Sequence, residues 1–316
     1  MRVVLLGATG TAGRGAARAL AADGHQLTFV VRPGSAADGL PAGEAVAADP
    51  LDPNAFRKAV ADAHPEAVVS CLASRTGTPK DAWAIDHGAN LAALNGAQNC
   101  GAKHFVLLSA LCVQKPKLAF QHAKLAFEAE LTKAGLTWSI VRPTAFFKSL
   151  SGQVARVVEG KPFLVFGDGT LTACKPISDD DLGAFLTSCL TDPNRQNQIL
   201  PIGGPGPALT PLDQVAILSE LLGREVPVRR VPVAFMSAMI AGLRVAGLVS
   251  QSMRDKAEFA RIGRYYGTES MLVLDQSTGN YSADATPEFG SETLRDHYAK
   301  LIAGEALADL GAHGVF

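Results

Sequence analysis

The sequence predicts an α/β fold built on a doubly wound parallel sheet, and three observations predict it. Short β-branched runs alternate with longer Ala/Leu-rich runs through the first 143 residues. The strand-like runs are apolar almost throughout, as strands covered on both faces are. The first of them ends in a glycine-spaced turn that opens a helical run.

Taken in order, "RVVLL", "LTFVV", "EAVAA", "EAVVSCL", "HFVLLSA" and "WSIVRP" read as strands. Helical periodicity between them covers about 11–23, 54–64, 81–101 and 118–135. In the last helix, "LAFQHAKLAFEAEL", residues Phe120, Lys124, Phe127 and Leu131 share one face, because positions three and four apart stack. Lys124 therefore stands in a stripe of Phe and Leu, either as a functional ammonium or as a stem that buries its methylenes and reaches water. After Pro143 the turn-rich "VFGDGT" and "PIGGPGPALTP" interrupt helices near 179–190, 211–222 and 232–263. This divides the chain into a main domain, 1–143, and a smaller C-terminal substrate-binding part, 144–316, with segments returning to the main domain.

The chain has 316 residues, 29 Lys+Arg against 30 Asp+Glu, and 47% hydrophobic residues. That balance suits a compact protein and offers no basic excess for nucleic acid. Five cysteines, with no CxxC and no histidine at ligand spacing, suit reduced thiols and no protein-bound metal. Met1 leads straight into the first strand without a signal or transit pattern, so a cytoplasmic location is expected. The most apolar run, "VPVAFMSAMIAGLRVAGLVS", is interrupted by Arg244. It reads as a packed or substrate-lining helix rather than a transmembrane segment, which leaves peripheral contact with a membrane open.

In "GATGTAGRG" the residues Gly7, Gly10 and Gly13 are spaced GxxGxxG between a strand and a helix, with Thr9 and Thr11 in the same loop. Glycine lets the backbone turn tightly and approach a pyrophosphate, whose charge rests on the helix N-terminus. This is the cofactor loop of an NAD(P)-binding Rossmann fold. The second strand ends in Arg32, where an acid would read a free ribose 2′-hydroxyl; an arginine suits a 2′-phosphate, so NADPH is expected over NADH. Asp49 and Asp52 either flank the adenine or serve as turn and cap residues. Cys71, Leu72 and Ala73 follow the fourth strand, Ser109 ends the fifth, and Pro143 and Thr144 close the sixth. All lie at the sheet edge where such folds bind ligands, and Ser109 either contacts the nicotinamide region or simply ends its strand.

The order of glycine loop, Ser109 strand and Lys124 helix resembles the short-chain dehydrogenase/reductase superfamily in its atypical branch. Its usual Tyr-x-x-x-Lys pair is here Phe120-Gln121-His122-Ala123-Lys124, so the phenolic acid is absent and the lysine remains. A closer resemblance runs through "VVSCLASRTGTPKDAWAID", "HFVLLSALCVQKP", "SIVRPTAFFKSLSGQV", "FGDGTLTACKPIS" and "IGRYYGTESMLVLD". These runs are similar to the divinyl chlorophyllide 8-vinyl-reductase family over nearly the whole chain. The resemblance implies an NADPH-dependent reduction, in chlorophyll or bacteriochlorophyll synthesis, of the 8-vinyl group of divinyl chlorophyllide or protochlorophyllide to ethyl, in a bacterial cytoplasm.

In that reading Lys124 is the catalytic residue, holding the nicotinamide ribose and adding positive potential beside developing negative charge. A flat apolar macrocycle with a carboxylate tail calls for aromatic and cationic partners. Phe146, Phe147 and Lys148, and Arg264, Tyr265 and Tyr266, are the candidates, with core packing the alternative for each aromatic. Other readings of the same cofactor loop are an isoflavonoid- or quinone-type reductase and a non-catalytic NADPH sensor.

Overall fold

A computed structural model describes residues 1–35 and 37–305. Up to Pro143 strands and helices alternate: β1 (Arg2–Leu6), α1 (Thr11–Ala22), β2 (Gln26–Val31), β3 (Glu44–Ala47), α2 (Pro53–Asp62), β4 (Ala67–Ser70), α3 (Pro79–Ala82), α4 (Asn90–Asn99), β5 (His104–Leu108), α5 (Ala119–Leu131) and β6 (Thr137–Pro143). Beyond it come α6 (Phe147–Leu150), α7 (Val154–Val158), β7 (Phe163–Phe166), α8 (Asp179–Ser188), β8 (Gln198–Ile202), α9 (Pro211–Leu222), β9 (Val228–Val231), α10 (Val233–Ala246), α11 (Gln251–Thr268), β10 (Val273–Leu274), β11 (Tyr281–Ser282) and α12 (Leu294–Ile302). Two units divide these elements. Of the described residues, the first takes those in 1–74, 79–143 and 179–202; the second takes those in 75–78, 144–178 and 203–305.

The first unit is built on seven parallel strands in the order β3-β2-β1-β4-β5-β6-β8. From β1 the chain steps outward to β2 and β3, then crosses back to β4 on the other side. That reversal opens a crevice beyond the carboxyl ends of β1 and β4. Leu6, Val68, Phe105, Phe127 and Ile140 are among the buried side chains of its core. The edge strand β8, "QILPI", was not anticipated from periodicity because Pro201 reads as a breaker. A proline is tolerated there because an edge strand needs ladder bonds on one side only.

The helix expected over 81–101 is interrupted by a π-helical turn, Trp83–Ala89, ahead of α4. The Asn90 side-chain amide donates to the carbonyls of Ile85 (3.3 Å) and Asp86 (3.1 Å), satisfying the widened turn. Its oxygen accepts from the Ser70 hydroxyl at 2.6 Å, which ties the turn to the end of β4.

The second unit pairs β7 with β9 in parallel and packs Phe147, Phe163, Leu218 and Tyr298 in its own core. The single helix expected over 232–263 is two helices, α10 and α11, parted at 247–250. At the break the amides of Leu248 and Val249 turn back to Val245 and Ala246 (3.1 and 3.3 Å) instead of continuing the helical ladder. Among the described residues, no helix is long and apolar enough to cross a membrane.

Candidate functional site

Gly7 follows β1 with φ +74°, a conformation that favours glycine. A side chain there would start 2.7 Å from the Cys71 carbonyl oxygen, so the loops after β1 and β4 meet backbone to backbone at the sheet reversal. A Cβ on Gly13 would fall 2.0 Å from the Gly7 oxygen, which lets α1 begin directly under the loop. At the N-cap of α1, Gly10 offers no side-chain cap, and the first turn carries no acid. The amides there are thus available to an anion, and the cradle fits the pyrophosphate of a dinucleotide. Thr9 and Thr11 are half-buried in the same loop.

Arg32 is exposed at the end of β2, where its carbonyl accepts from the Ser35 amide at 3.0 Å. Asp49 and Asp52 are occupied locally. Asp49 accepts from the Leu51 amide at 2.9 Å, and Asp52 caps α2 through the amides of Asn54 and Ala55, both at 3.0 Å.

Helix α5 starts where Gln121 reaches back to the amides of Lys117 (2.7 Å) and Leu118 (2.9 Å) and donates to the Cys112 carbonyl. This fixes the face carrying Phe120, Lys124 and Phe127, all of them buried. The Lys124 ammonium lies 2.9 Å from Oδ1 of Asp86, on the π-helical turn, and the Asp86 side chain is only 1% exposed. Neither Asp86 oxygen takes an aligned hydrogen bond. The short Nζ to Oδ1 distance is therefore an ion pair that leaves hydrogen-bonding capacity unused on a buried carboxylate. Cys71 also feels this cation. Burial pushes its thiol up to about 12, with the Lys124 charge opposing, so Cys71 remains a neutral thiol. Leu72 and Ala73 follow it, half-buried and exposed respectively.

One turn further along α5, Glu128 is buried and fully engaged. It accepts from the Ser109 hydroxyl at 2.5 Å and pairs with the Arg142 guanidinium through both oxygens. Ser109 thus ends β5 with its proton committed to Glu128. Pro143 is buried at the end of β6.

The second unit holds the remaining candidates. Thr144 is buried, and its hydroxyl donates to the Lys175 carbonyl. Phe147 is a core residue at 4% exposure, while Phe146 and Lys148 are half-buried. Tyr265 is buried with its ring edge-on to that of exposed Tyr266, centroids 5.7 Å apart, and Arg264 is exposed. Next to this segment, a cleft of about 560 Å³ opens between α10 and α11, lined by Met236, Met239, Leu243, Phe259, Asp255 and Lys256. Its size and largely apolar wall are those of a small-molecule site.

Sequence reasoning missed Asp86, Asn90, Glu128 and Arg142. The one signal for Asp86 was an acid directly after the apolar run Ala82–Ile85 of the expected helix, a counterpart of the lysine in the Phe/Leu stripe of α5.

Comparison with known proteins agrees with this geometry. An NAD(P)H-binding family matches residues 7–193. The divinyl chlorophyllide a 8-vinyl-reductase of Oryza sativa subsp. indica is 48% identical over 331 aligned positions, covering 99% of this chain and 82% of the rice protein. The protein of the same name from Cucumis sativus is 54% identical over 79% of this chain and 61% of its own length. An NADPH-dependent quinone oxidoreductase of Escherichia coli, solved with NADPH, shares the fold with a TM-score of 0.66 at 17% identity, covering 96% of this chain and 99% of that one. With a glycine cradle at the sheet reversal, an NAD(P)H-binding family match and identity near one half along almost its whole length, the chain belongs to the divinyl chlorophyllide a 8-vinyl-reductase family.

Proposed function

We propose that the chain reduces the 8-vinyl group of 3,8-divinyl chlorophyllide or protochlorophyllide to ethyl, in chlorophyll or bacteriochlorophyll synthesis. The observation that carries this reading is the 48% identity sustained over 99% of the chain. NADPH, when bound, supplies the hydride; a proton from water or a side chain completes the addition of two hydrogens. The amides at the start of α1 receive the pyrophosphate, and Arg32 receives the 2′-phosphate. Cys71, Leu72 and Ala73 border the nicotinamide through the backbone after β4.

Lys124 is the catalytic residue: its ammonium holds the nicotinamide ribose hydroxyls and sets positive potential beside the charge that hydride addition creates. Asp86 is its positioning residue. Its ion pair aims the ammonium, and its unused oxygen capacity offers acceptors for hydroxyl protons. Hydride arriving at the terminal vinyl carbon leaves charge that spreads into the conjugated macrocycle, unlike the localised alkoxide of a ketone. A phenol at position 120 is then unnecessary, and Phe120 serves in its place. In the second unit Phe146, Tyr266 and the cleft wall suit the face of the macrocycle, with Lys148 and Arg264 for its carboxylate. The five cysteines are free thiols, which suits a reducing compartment such as a bacterial cytoplasm.

Anaerobic incubation of purified protein with NADPH and 3,8-divinyl chlorophyllide tests the reading. Pigment two hydrogens heavier with a blue-shifted Soret band is expected. No conversion by protein that demonstrably binds NADPH would overturn it.

A further inference from the structure

Helix α10 is apolar on every side, yet only one side is covered. Met236 and Ile240, one turn apart, are buried at 5% and 7% exposure. Opposite them Phe235 (64%) and Val245 (68%) stand open, and the turn beyond adds Leu248 (79%) and Val249 (92%). A helix apolar all round belongs in a core or in contact with lipid. With 14 residues, α10 is about 21 Å long, short of the roughly 30 Å hydrocarbon thickness, so it can lie along a bilayer but not cross it.

Charge identifies the occupant. Residues 233–268 hold five cations and two acids, in a chain whose formal charge is -1. Arg244 on the last turn of α10, and Arg254 and Lys256 on the first turns of α11, are exposed on either side of the apolar tip. The Arg254 stem packs so closely on the turn that a Cβ on Gly247 would sit 2.8 Å from its Cγ, and its Nε donates to the Gln251 side chain at 3.0 Å. Asp255, exposed between Arg254 and Lys256, offsets one of these charges, and the cations that remain in excess beside an open apolar tip are complementary to an anionic lipid surface. A second copy docked symmetrically on the same tip would set these cations against their own kind.

We propose that the α10–α11 tip is a peripheral membrane anchor that inserts Val245, Leu248 and Val249 into an anionic bilayer surface with Arg244 and Arg254 at the headgroups. Arg244, Val245, Leu248, Val249 and Arg254 are not among the residues that line the cleft between α10 and α11, and the proposal does not depend on which pigment is reduced. The experiment is co-sedimentation of the full chain with vesicles of phosphatidylcholine alone and of phosphatidylcholine mixed with phosphatidylglycerol, alongside light scattering of the protein without lipid. The wild-type chain should pellet with the mixed vesicles only, and less as salt is raised. Leu248→Asp/Val249→Asp should weaken that association at least about tenfold, and Arg244→Glu/Arg254→Glu should abolish the preference for anionic lipid. Both variants should still reduce substrate delivered in solution. The proposal is overturned by wild-type protein that ignores the mixed vesicles, by equal pelleting of the Asp variant, or by a dimer that the Asp substitutions dissolve while no vesicle binding is seen.

Discussion

Helix α5 carries two buried ion pairs one turn apart, and they are built differently. Glu128 is saturated: Ser109 donates to it and Arg142 engages both its oxygens, so β5, β6 and α5 are locked together. Asp86 has its lysine at 2.9 Å and no aligned hydrogen bond, although it is the more buried carboxylate. Burying a carboxylate without filling its hydrogen-bond sites is costly, and structure alone gives no reason to keep one that way. We therefore assign the first pair to the fold, and propose that the second is held open for hydroxyl groups that arrive with a ligand.

Four experiments press on that difference. Glu128→Ala leaves Arg142 and Ser109 without their acceptor and should lower unfolding free energy by about 3–5 kcal/mol, as breaking a buried pair does. Denaturant titration checks it; a loss below 1 kcal/mol would remove the structural assignment. The next largest effect concerns His104, a buried polar group of the purely structural kind, 3.0 Å from Ser139 Oγ. Burial pushes its imidazole down to about 4 from 6.5. The unfolded chain therefore binds a proton first as pH falls, and stability present above pH 6.5 is lost as pH drops through about 4. The loss amounts to about 3 kcal/mol at 1.36 kcal/mol per unit. His104→Gln should flatten this slope in melts across that range and leave turnover at neutral pH intact.

Asp86→Asn keeps the shape of the open pair and removes its charge. It should lower kcat about tenfold, near 1.4 kcal/mol, while KM for the pigment stays within twofold. A KM effect without a kcat effect in steady-state kinetics would instead make Asp86 a binding residue. Phe120→Tyr should change kcat by less than about threefold, under 0.7 kcal/mol, because the macrocycle already stabilises the charge. A large gain would mean that the missing phenol had been limiting.

How much of this was legible in the sequence depends on what kind of contact carries it. The strands through β6, the glycine loop and Lys124 announce themselves, because apolar runs, Gly spacing and a cation in a Phe/Leu stripe are local patterns. Strand β8 was hidden by Pro201, which is harmless only on an edge, and edges are set by topology. The break at Gly247 was hidden because glycine among alanines still reads as helix until the turn contacts form. Asp86 was hidden twice: it sits on a π-helical turn whose carbonyls Asn90 reaches back to satisfy, and its partner lies 38 positions away in sequence. Ser109 was visible as a strand-end hydroxyl, but nothing local said that Glu128 would take its proton. Local chemistry found the cofactor loop, while the partners of the lysine and serine are long-range facts.

The most direct test of the central claim replaces each pair whole with apolar residues and measures folding and pigment reduction together. Lys124→Met/Asp86→Leu should melt within a few degrees of wild type and lose on the order of 10²-fold in turnover, while Arg142→Met/Glu128→Leu should keep both. Undiminished reduction by the first double variant, with its fold intact, would contradict the assignment of the open pair to function.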